Sequence, residues 1–591
     1  MTMQELDRRI LLAGAGALGV AALTRMAKAG PLSPPDGAVA PTGVTMDQIA
    51  QRVAKSATGS AEPRTCIAEL SGDAQADFII TQPGSYYLHA SLTSVKSICI
   101  DVRASFVDLD LQGFCITGSD AQGALSTCVH VKGGFHSVRV HDGSLCPGGG
   151  AALDAQDAIV VFEHTIVSPR DSASGLPTGR VHVGGGSVLS HLTMICPPSV
   201  AVAIQQKHVA NIKWTASRCC CVEGGQIGFL GEFTLTDCCA SSCSVAGFSC
   251  SPDRISATNF GGWSGDCSGC CAFSCAVGFE DISCCEDCTA SDCTTGYMTR
   301  AMQLIPERAR CSATRCTTGF AGAACCVSCC CMSCDTGFSL REAGSGLPTG
   351  RRQHGAMCWS FDCTTGFEVV GSLDDCCAMR CDTGFRVQGT FSDGTSADIT
   401  SCCAVSCTST GFDGCAMYDD CDAVACPVGF QVTWRSTQPP QTCACSACRV
   451  CTCVVGFACT SSCSLDECDG SSVQQFAVIT AAGAGGGPHV KIFGCCVSGA
   501  SSGTGQPTVG ISCASGGRCT VDDCCLSEFT QGVSCAAGTG SLVTCCAFSS
   551  CVEPLLMGAG NTFGPLLVCT AGLGDLNQNQ ISRHALCNTV T

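Results

Sequence analysis

The stretch Cys288-Thr289-Ala290-Ser291-Asp292-Cys293-Thr294-Thr295-Gly296-Tyr297 decides how this chain is read. Its skeleton is Cys-x4-Cys-x2-Gly followed by an aromatic residue. The same skeleton returns as Cys311, Cys316, Gly319, Phe320 and as Cys329, Cys334, Gly337, Phe338. It continues as Cys358, Cys363, Gly366, Phe367, then Cys376, Cys381, Gly384, Phe385, and then Cys421, Cys426, Gly429, Phe430. Gly-aromatic pairs without the full motif add Phe279, Phe412 and Phe457. From Gly228 to Gly456 the repeat glycines alternate between a tight step of 18 or 19 residues and a looser step of 23 to 31. A fixed period with inserted residues is the signature of a solenoid, in which each unit buries its apolar face against its neighbours.

Composition agrees. The 591 residues include 70 glycines and 60 cysteines, and only 14% are charged. The net charge of -18 disfavours nucleic acid and anionic lipid as partners. It also works against an acidic polysaccharide unless Ca²⁺ mediates.

The N-terminus reads as an export signal. Arg8-Arg9 precede an apolar run from Ile10 to Leu23, and Ala27-Lys28-Ala29 supplies small residues for cleavage. Residues 1–29 thus resemble a twin-arginine leader, which implies a periplasmic, cell-surface or extracellular location. The run is short and glycine-rich for a membrane span. Gly14 to Gly19 formally match G-x-G-x-x-G, but no strand precedes them. Residues 30–64 are rich in Pro, Ala and Gly and read as a linker, with a short helix expected around Thr45 to Val53. The cysteine-bearing body occupies 65–591.

Strand signals dominate that body. Phe78 to Ile80, Tyr86 to Leu88, Ile98 to Val102, Phe106 to Leu111, Val138 to His141 and Ala158 to Phe162 are short, apolar or alternating, and bounded by turn residues. Eighteen residues suit one coil of three short strands and are too few for paired helices. The second cysteine and the aromatic of each motif are four apart and are expected to face inward together. Coils spaced about 4.8 Å apart then stack equivalent residues. Tyr297 and the phenylalanines form one column beside columns of thiols. The glycine before each aromatic is expected to supply a turn of positive φ. Burying each ring contributes roughly 1.5–3 kcal/mol before entropy is counted. Inserted loops are expected at Glu342 to Gly355 and Thr433 to Thr442. Ser174 to Arg180 recurs as Ser345 to Arg351 and reads as an excursion from the coil.

These features resemble the exported bacterial right-handed parallel β-helix repeat proteins of the pectate-lyase-like superfamily. Phe78 to Leu88 looks like their opening strand, Phe106 to Phe114 like their first full coil, and Gly560 to Pro565 like their closing segment. The resemblance implies an all-β, single-stranded, right-handed parallel β-helix. It implies no one activity, because the fold hosts lyases, hydrolases, epimerases, adhesins and passive structural proteins. The chain departs from the group in placing cysteine where Asn or small apolar residues often stack.

The cysteines admit three roles: stacked core thiols, disulfides favoured by export, and metal ligands. In-register neighbours sit slightly beyond the ideal Cβ separation for a disulfide, so bonds at corners or loops look easier. Vicinal pairs such as Cys238-Cys239, Cys284-Cys285, Cys325-Cys326, Cys376-Cys377, Cys402-Cys403 and Cys545-Cys546 are expected to point one thiol inward and one outward. The outer columns are then the better disulfide candidates. The densest cluster, Cys443, Cys445, Cys448, Cys451 and Cys453, is the weak candidate for a thiophilic metal. A second cluster runs from Cys325 to Cys334.

Candidates for catalysis are carboxylate pairs, as acid and base in glycoside hydrolysis. They are Asp374-Asp375 and Asp419-Asp420, with His354 near the first, and Asp522-Asp523 further on. Against this stands a recurrent Asp before Cys, at Asp237, Asp287, Asp292, Asp362, Asp375 and Asp420, which fits a solvated turn column. His182, His208 and His489 read as isolated structural or surface residues. Trp263, Trp359 and Trp434 are placed in or near loops. The favoured expectation is a non-catalytic structural or surface protein, with itself as partner through end-to-end or lateral assembly. A carbohydrate-active enzyme binding a glycan, with Ca²⁺, and a thiol-rich metal-binding protein are the alternatives.

Overall fold

The computed structural model describes residues 64–119, 126–148, 150–168, 180–196, 200, 202–206, 213–222, 224–250, 265–299, 307–322, 325–340, 354–369, 371–387, 397–433, 443–479, 488–500, 508–514, 517–535, 540–564 and 566–569. The chain divides into two compact units, Met1–Pro63 and Arg64–Thr591. The leader, the linker up to Pro63 and the expected helix near Thr45 lie outside the described residues, as do His208, Trp263 and Trp434.

The second unit is an all-β parallel solenoid. Each coil lays one strand on each of three parallel sheets, and strands in successive coils pair in register. One coil shows the plan. Cys284–Glu286 lies on the first sheet, Thr289–Ser291 on the second, and Thr295–Thr299 on the third. The next coil repeats it with Glu307–Ala309, Ser312–Thr314 and Thr318–Gly322. Their registers are Cys285 on Arg308, Ala290 on Ala313 and Tyr297 on Phe320. Near the start, Val138–Cys146 and Val160–Val167 run through a corner and join the first two sheets. A 3-10 turn, Ile67–Glu69, is the single helical element among the described residues.

The two motif cysteines mark corners rather than strands. Each follows a residue in the left-handed region: Asp287 (φ 54°) before Cys288, and Asp292 (φ 56°) before Cys293. Such a conformation is disfavoured by roughly 1–2 kcal/mol for a residue carrying a Cβ. It persists because the ladder passes through it unbroken. The Asp287 N–H donates to the Ala309 carbonyl at 3.1 Å, and the Thr289 N–H to the Cys270 carbonyl at 2.9 Å. The cysteine then turns inward. The recurrent Asp before Cys is this corner: Asp237, Asp287, Asp292, Asp362, Asp375 and Asp420 all have φ between 49° and 56°.

The repeat glycines do a different job from the one expected. None of Gly278, Gly296, Gly319, Gly337, Gly366 or Gly384 has positive φ. Each sits inside a third-sheet strand where the coils meet most closely. A Cβ on Gly366 would lie 2.6 Å from the Gly384 carbonyl oxygen and 3.0 Å from the Ala378 Cβ across the core. Alanines at 290, 313, 378, 404 and 423 face this seam from the second sheet and are fully buried. Small residues on both sides keep that half of the coil thin, and the neighbouring aromatic fills the other half.

The aromatic column is continuous. From Phe279 through Tyr297, Phe320, Phe338, Phe367, Phe385, Phe412 and Phe430 to Phe457, adjacent rings stack with centroids 4.5–4.9 Å apart. Phe229 and Phe248 extend it toward the N-terminus, and Trp214 stacks on Phe229 at 6.5 Å. The Tyr297 hydroxyl stays satisfied by donating to the Cys288 carbonyl at 2.7 Å. Longer repeats place extra residues between a third-sheet strand and the next first-sheet strand, as between Thr336–Leu340 and His354–Ala356. The excursion expected to reach Gly355 therefore ends earlier, since His354–Ala356 already pairs with its neighbours.

Candidate functional site

The corner thiols come first because they are the most repeated chemistry. Cys288, Cys311, Cys329, Cys358, Cys376 and Cys421 line the first corner, and Cys293, Cys316, Cys334, Cys363, Cys381 and Cys426 the second. All are buried. The Cys288 thiol donates to the Glu286 carbonyl at 3.4 Å and to the Cys267 carbonyl one coil back at 3.5 Å. Cys376 and Cys426 make the same pair of contacts. Burial pushes the Cys402 and Cys421 thiols well above the ordinary thiol range. In this position the buried thiols act as small apolar fillers with a weak donor, out of reach of solvent.

The vicinal pairs divide between faces. Cys285 and Cys326 point into the core, while Cys284 and Cys325 lie outward. Cys238 is a buried corner residue, and Cys239 opens the next strand on the outside. Cys239 is bonded to Cys271, its in-register neighbour, with Cα atoms 4.6 Å apart. A disulfide between stacked strands is therefore accommodated by the ladder itself, against the expectation that corners or loops suit it better. Cys415 and Cys443 form the second disulfide, with Cα atoms 5.4 Å apart.

The dense cysteine cluster is dispersed by the fold. Cys443 is in a disulfide, Cys445 faces the core from the first sheet, and Cys448 and Cys453 occupy different corners. Cys451 lies outward at the end of Arg449–Cys451. Among the described residues, the one group of three metal-ligating side chains within 4.8 Å is Asp110, His141 and Asp142. There His141 Nδ1 is 2.8 Å from Asp142, and Arg64 donates to Asp110 at 2.8 Å. The guanidinium already supplies the charge that a cation would bring.

The acidic pairs sit on one exposed corner. Asp374 and Asp419 end first-sheet strands, and Asp375 and Asp420 are the left-handed residues that follow. Thr400 separates Asp374 from Asp419 in the ladder, so the pairs are two coils apart, on the order of 10 Å. Burial, then Asp374, raises the Asp375 carboxyl above its ordinary range. Arg449 donates to Asp420 and Asp422. His354 belongs to the same sheet and pairs through its backbone with Ser372. Elsewhere the corner charges neutralise one another: Arg310, Arg315 and Arg380 clasp Asp287, Asp292 and Asp362 one coil back through two nitrogens each. Trp359 lies on the second sheet facing outward, and His489 is exposed beside Thr520.

A second charged feature was not evident from the sequence. On the third sheet, Asp101, His130, Asp154 and His182 occupy the same outward position in four successive coils. His130 Nδ1 is 2.7 Å from Asp101, and His182 Nδ1 is 3.5 Å from Asp154. Arg103 and Gln156 flank them. Burial opposes ionisation of Asp101, but hydrogen bonds from His130 and Arg103 outweigh it and hold its carboxyl below the ordinary range. The Asp101 hydrogen bond correspondingly raises His130. Alternation of carboxylate and imidazole along the ladder keeps like carboxylates from being direct neighbours. The sequence signal was present: an apolar-charged-apolar triplet at the end of Ile98–Val102, Thr127–Val131, Ala151–Ala155 and Arg180–Val183.

No protein-family model matches this chain, and no curated protein matches it. Among the described residues, no helix is long and apolar enough to cross a membrane.

Proposed function

We propose that this chain is an exported, non-catalytic structural or surface solenoid of the pectate-lyase-like, right-handed kind. The observation that carries this reading is the unbroken ring stack from Phe229 to Phe457, which commits the coil interior to packing over the cysteine-rich repeats. The corner thiols and the paired corner charges support the same use. The coils from Phe229 to Phe457 repeat one packing solution, and at the corners Arg310, Arg315 and Arg380 each answer an aspartate one coil back. Repetition of this kind gives a stiff scaffold whose partners are other copies or the surface that displays it.

The test is direct. The chain without residues 1–29 is incubated with neutral and acidic polysaccharides, with and without Ca²⁺, and release of unsaturated products and reducing ends is followed. No product is expected, and sedimentation is expected to show association of copies. Sustained product release would overturn the reading.

A second reading is favoured by the Asp101, His130, Asp154 and His182 ladder. It is that of a carbohydrate-active protein whose glycan lies along the third sheet. Loss of product release in an Asp154→Asn variant would mark that case. Thiophilic metal binding is the third, and elemental analysis of the purified chain addresses it.

A further inference from the structure

One outward column of the second sheet has an ordered chemistry. It is the first position of the second-sheet strands from Cys239–Ser241 to Cys525–Ser527, so its members lie in register from coil to coil. Several neighbours along it are chemically complementary, although others, such as Cys330 and Trp359, are not. Ser312 donates to the Thr289 hydroxyl at 3.2 Å. Arg449 stands between Asp422 and Asp469 and donates to Asp422 at 2.7 Å. Cys239 pairs with Cys271, and that pair is a disulfide. Two more cysteine neighbours occur in the same column. Cys377 and Cys403 are in register with Sγ atoms 2.7 Å apart, and Cys496 and Cys525 are in register with both side chains exposed.

We infer that Cys377–Cys403 and Cys496–Cys525 are redox clasps, pairs of thiols that close into disulfides joining successive coils when a disulfide oxidant is present. The geometry is the one Cys239 and Cys271 already use, and their Cα separation of 4.6 Å falls within the range disulfides occupy. In each clasp one thiolate attacks the oxidant's sulfur and forms a mixed disulfide. The partner thiolate then displaces the oxidant's second half. Two S–H bonds are lost and one S–S bond forms. The two protons go to solvent or to the departing thiolates, and the two electrons reduce one oxidant disulfide to two thiols. The clasps differ in readiness. The Cys377 contact, then burial, holds the Cys403 thiol well above its ordinary range. Cys496 is raised chiefly by partial burial, and then by Cys525. The exposed clasp therefore closes first. The inference stands on register and not on export, since the oxidant can be supplied in solution.

The test uses the full chain. It is reduced under native conditions, freed of reductant, and exposed to oxidised glutathione for increasing times. Each sample is alkylated in denaturant and mapped by mass spectrometry without reduction. The expected result is a linked Cys496–Cys525 peptide pair first and a linked Cys377–Cys403 pair later, with Cys288 and Cys293 alkylated throughout. Alkylated Cys496 and Cys525 after prolonged oxidation would overturn the inference. So would bonds from either residue to a different cysteine, or chains linked to one another through Cys525. A Cys496→Ser, Cys525→Ser variant is expected to lose the early linked pair while keeping the later one. Loss of both pairs from a variant with unchanged circular dichroism would also overturn it.

Discussion

Phe476 fills the space that a side chain at Gly470 would need. A Cβ on Gly470 would lie 3.0 Å from a Phe476 ring carbon and 2.8 Å from Val497. In the preceding coil the roles are reversed: Gly456 is the small residue of the third sheet, Val450 faces it, and Phe457 takes the ring position. The coil ending at Ile479 thus moves the ring one residue earlier, and the second sheet answers with glycine. Phe476 meets Phe457 edge-on at 5.2 Å instead of stacking. Coil volume is conserved although the motif is broken.

This exchange predicts strong coupling. Gly470→Ala is expected to destabilise by about 1–3 kcal/mol, the usual range for overpacking. In a Phe476→Leu background the same change is expected to be less harmful. A double-mutant cycle from denaturant unfolding measures the difference, and additivity would show that the two positions do not share one space.

The seam and the corners predict opposite signs for changes of similar size. Gly366→Ala drives a methyl against the Gly384 carbonyl and is expected to destabilise by about 1–3 kcal/mol. Ala425 holds φ 56° at a corner. Ala425→Gly is expected to be neutral or stabilising by up to about 1 kcal/mol, because relief of left-handed strain offsets the added chain entropy. Thermal unfolding of the two variants decides this. A stabilising Gly366→Ala would refute the packing role given to the repeat glycines.

The periodic parts of this structure were legible and the aperiodic parts were not. Gly296-Tyr297 and its successors announce a stacked column because the pair recurs at one place in the coil. The left-handed corners were hidden, because Asp287, Arg310, Ser328, Met357 and Ala425 share a conformation but no chemistry. Glycine, the usual marker of positive φ, was spent on the seam instead and misled the reading of the turn. The Asp101–His182 ladder escaped because the early coils lack the Cys-x4-Cys-x2-Gly-aromatic motif and differ in length. Arg308 escaped because Glu307-Arg308-Ala309 reads as a solvated strand, yet register with Cys285 and Cys326 turns Arg308 inward.

Arg308 is only 2% exposed. Its Nη2 donates to Thr299 at 2.7 Å, while Nε and Nη1 have no partner among the described residues. Its guanidinium stands 5.3 Å from the Tyr297 ring centre and 5.8 Å from that of Phe320. Ring contacts recover part of the desolvation, but a buried cation without a carboxylate partner is costly. Arg308→Met, which keeps the length and removes the charge, is expected to stabilise by about 1–3 kcal/mol. A loss of stability in denaturant unfolding would mean that the guanidinium contributes more than packing.

The Asp101–His130 pair predicts a defined pH dependence. His130 is raised above 6.5, so its contribution is fully present below that pH and is lost as pH rises through its folded value. Asp101 is lowered below 3.8, so its contribution is present above that pH and is lost as pH falls through its folded value. Arg103, Asp154 and His182 share the face and stay in both comparisons. His130→Gln keeps a donor toward Asp101 and removes the titrating charge. The wild-type chain is expected to melt above this variant at pH 5–6, with the gap closing as the pH is raised. A gap that widens with pH would reverse the assignment of the proton.

The last expectation concerns how the thiols report folding. Among the described free cysteines, Cys496, Cys525 and Cys545 are exposed, and most of the remainder are buried. Burial pushes Cys99 and Cys331 up to about 12, so neither offers a thiolate at neutral pH. After mild reduction of the folded chain, a thiol-reactive dye is expected to label the exposed residues within minutes. It should leave the corner thiols, such as Cys288 and Cys293, untouched until global unfolding. Because each corner is held by ladders to the coils before and after it, those thiols should become reactive together, in one step at the unfolding midpoint. Rapid native labelling of Cys288 or Cys293 would show that the coils open locally, and the thiol columns could not then be a closed part of the core.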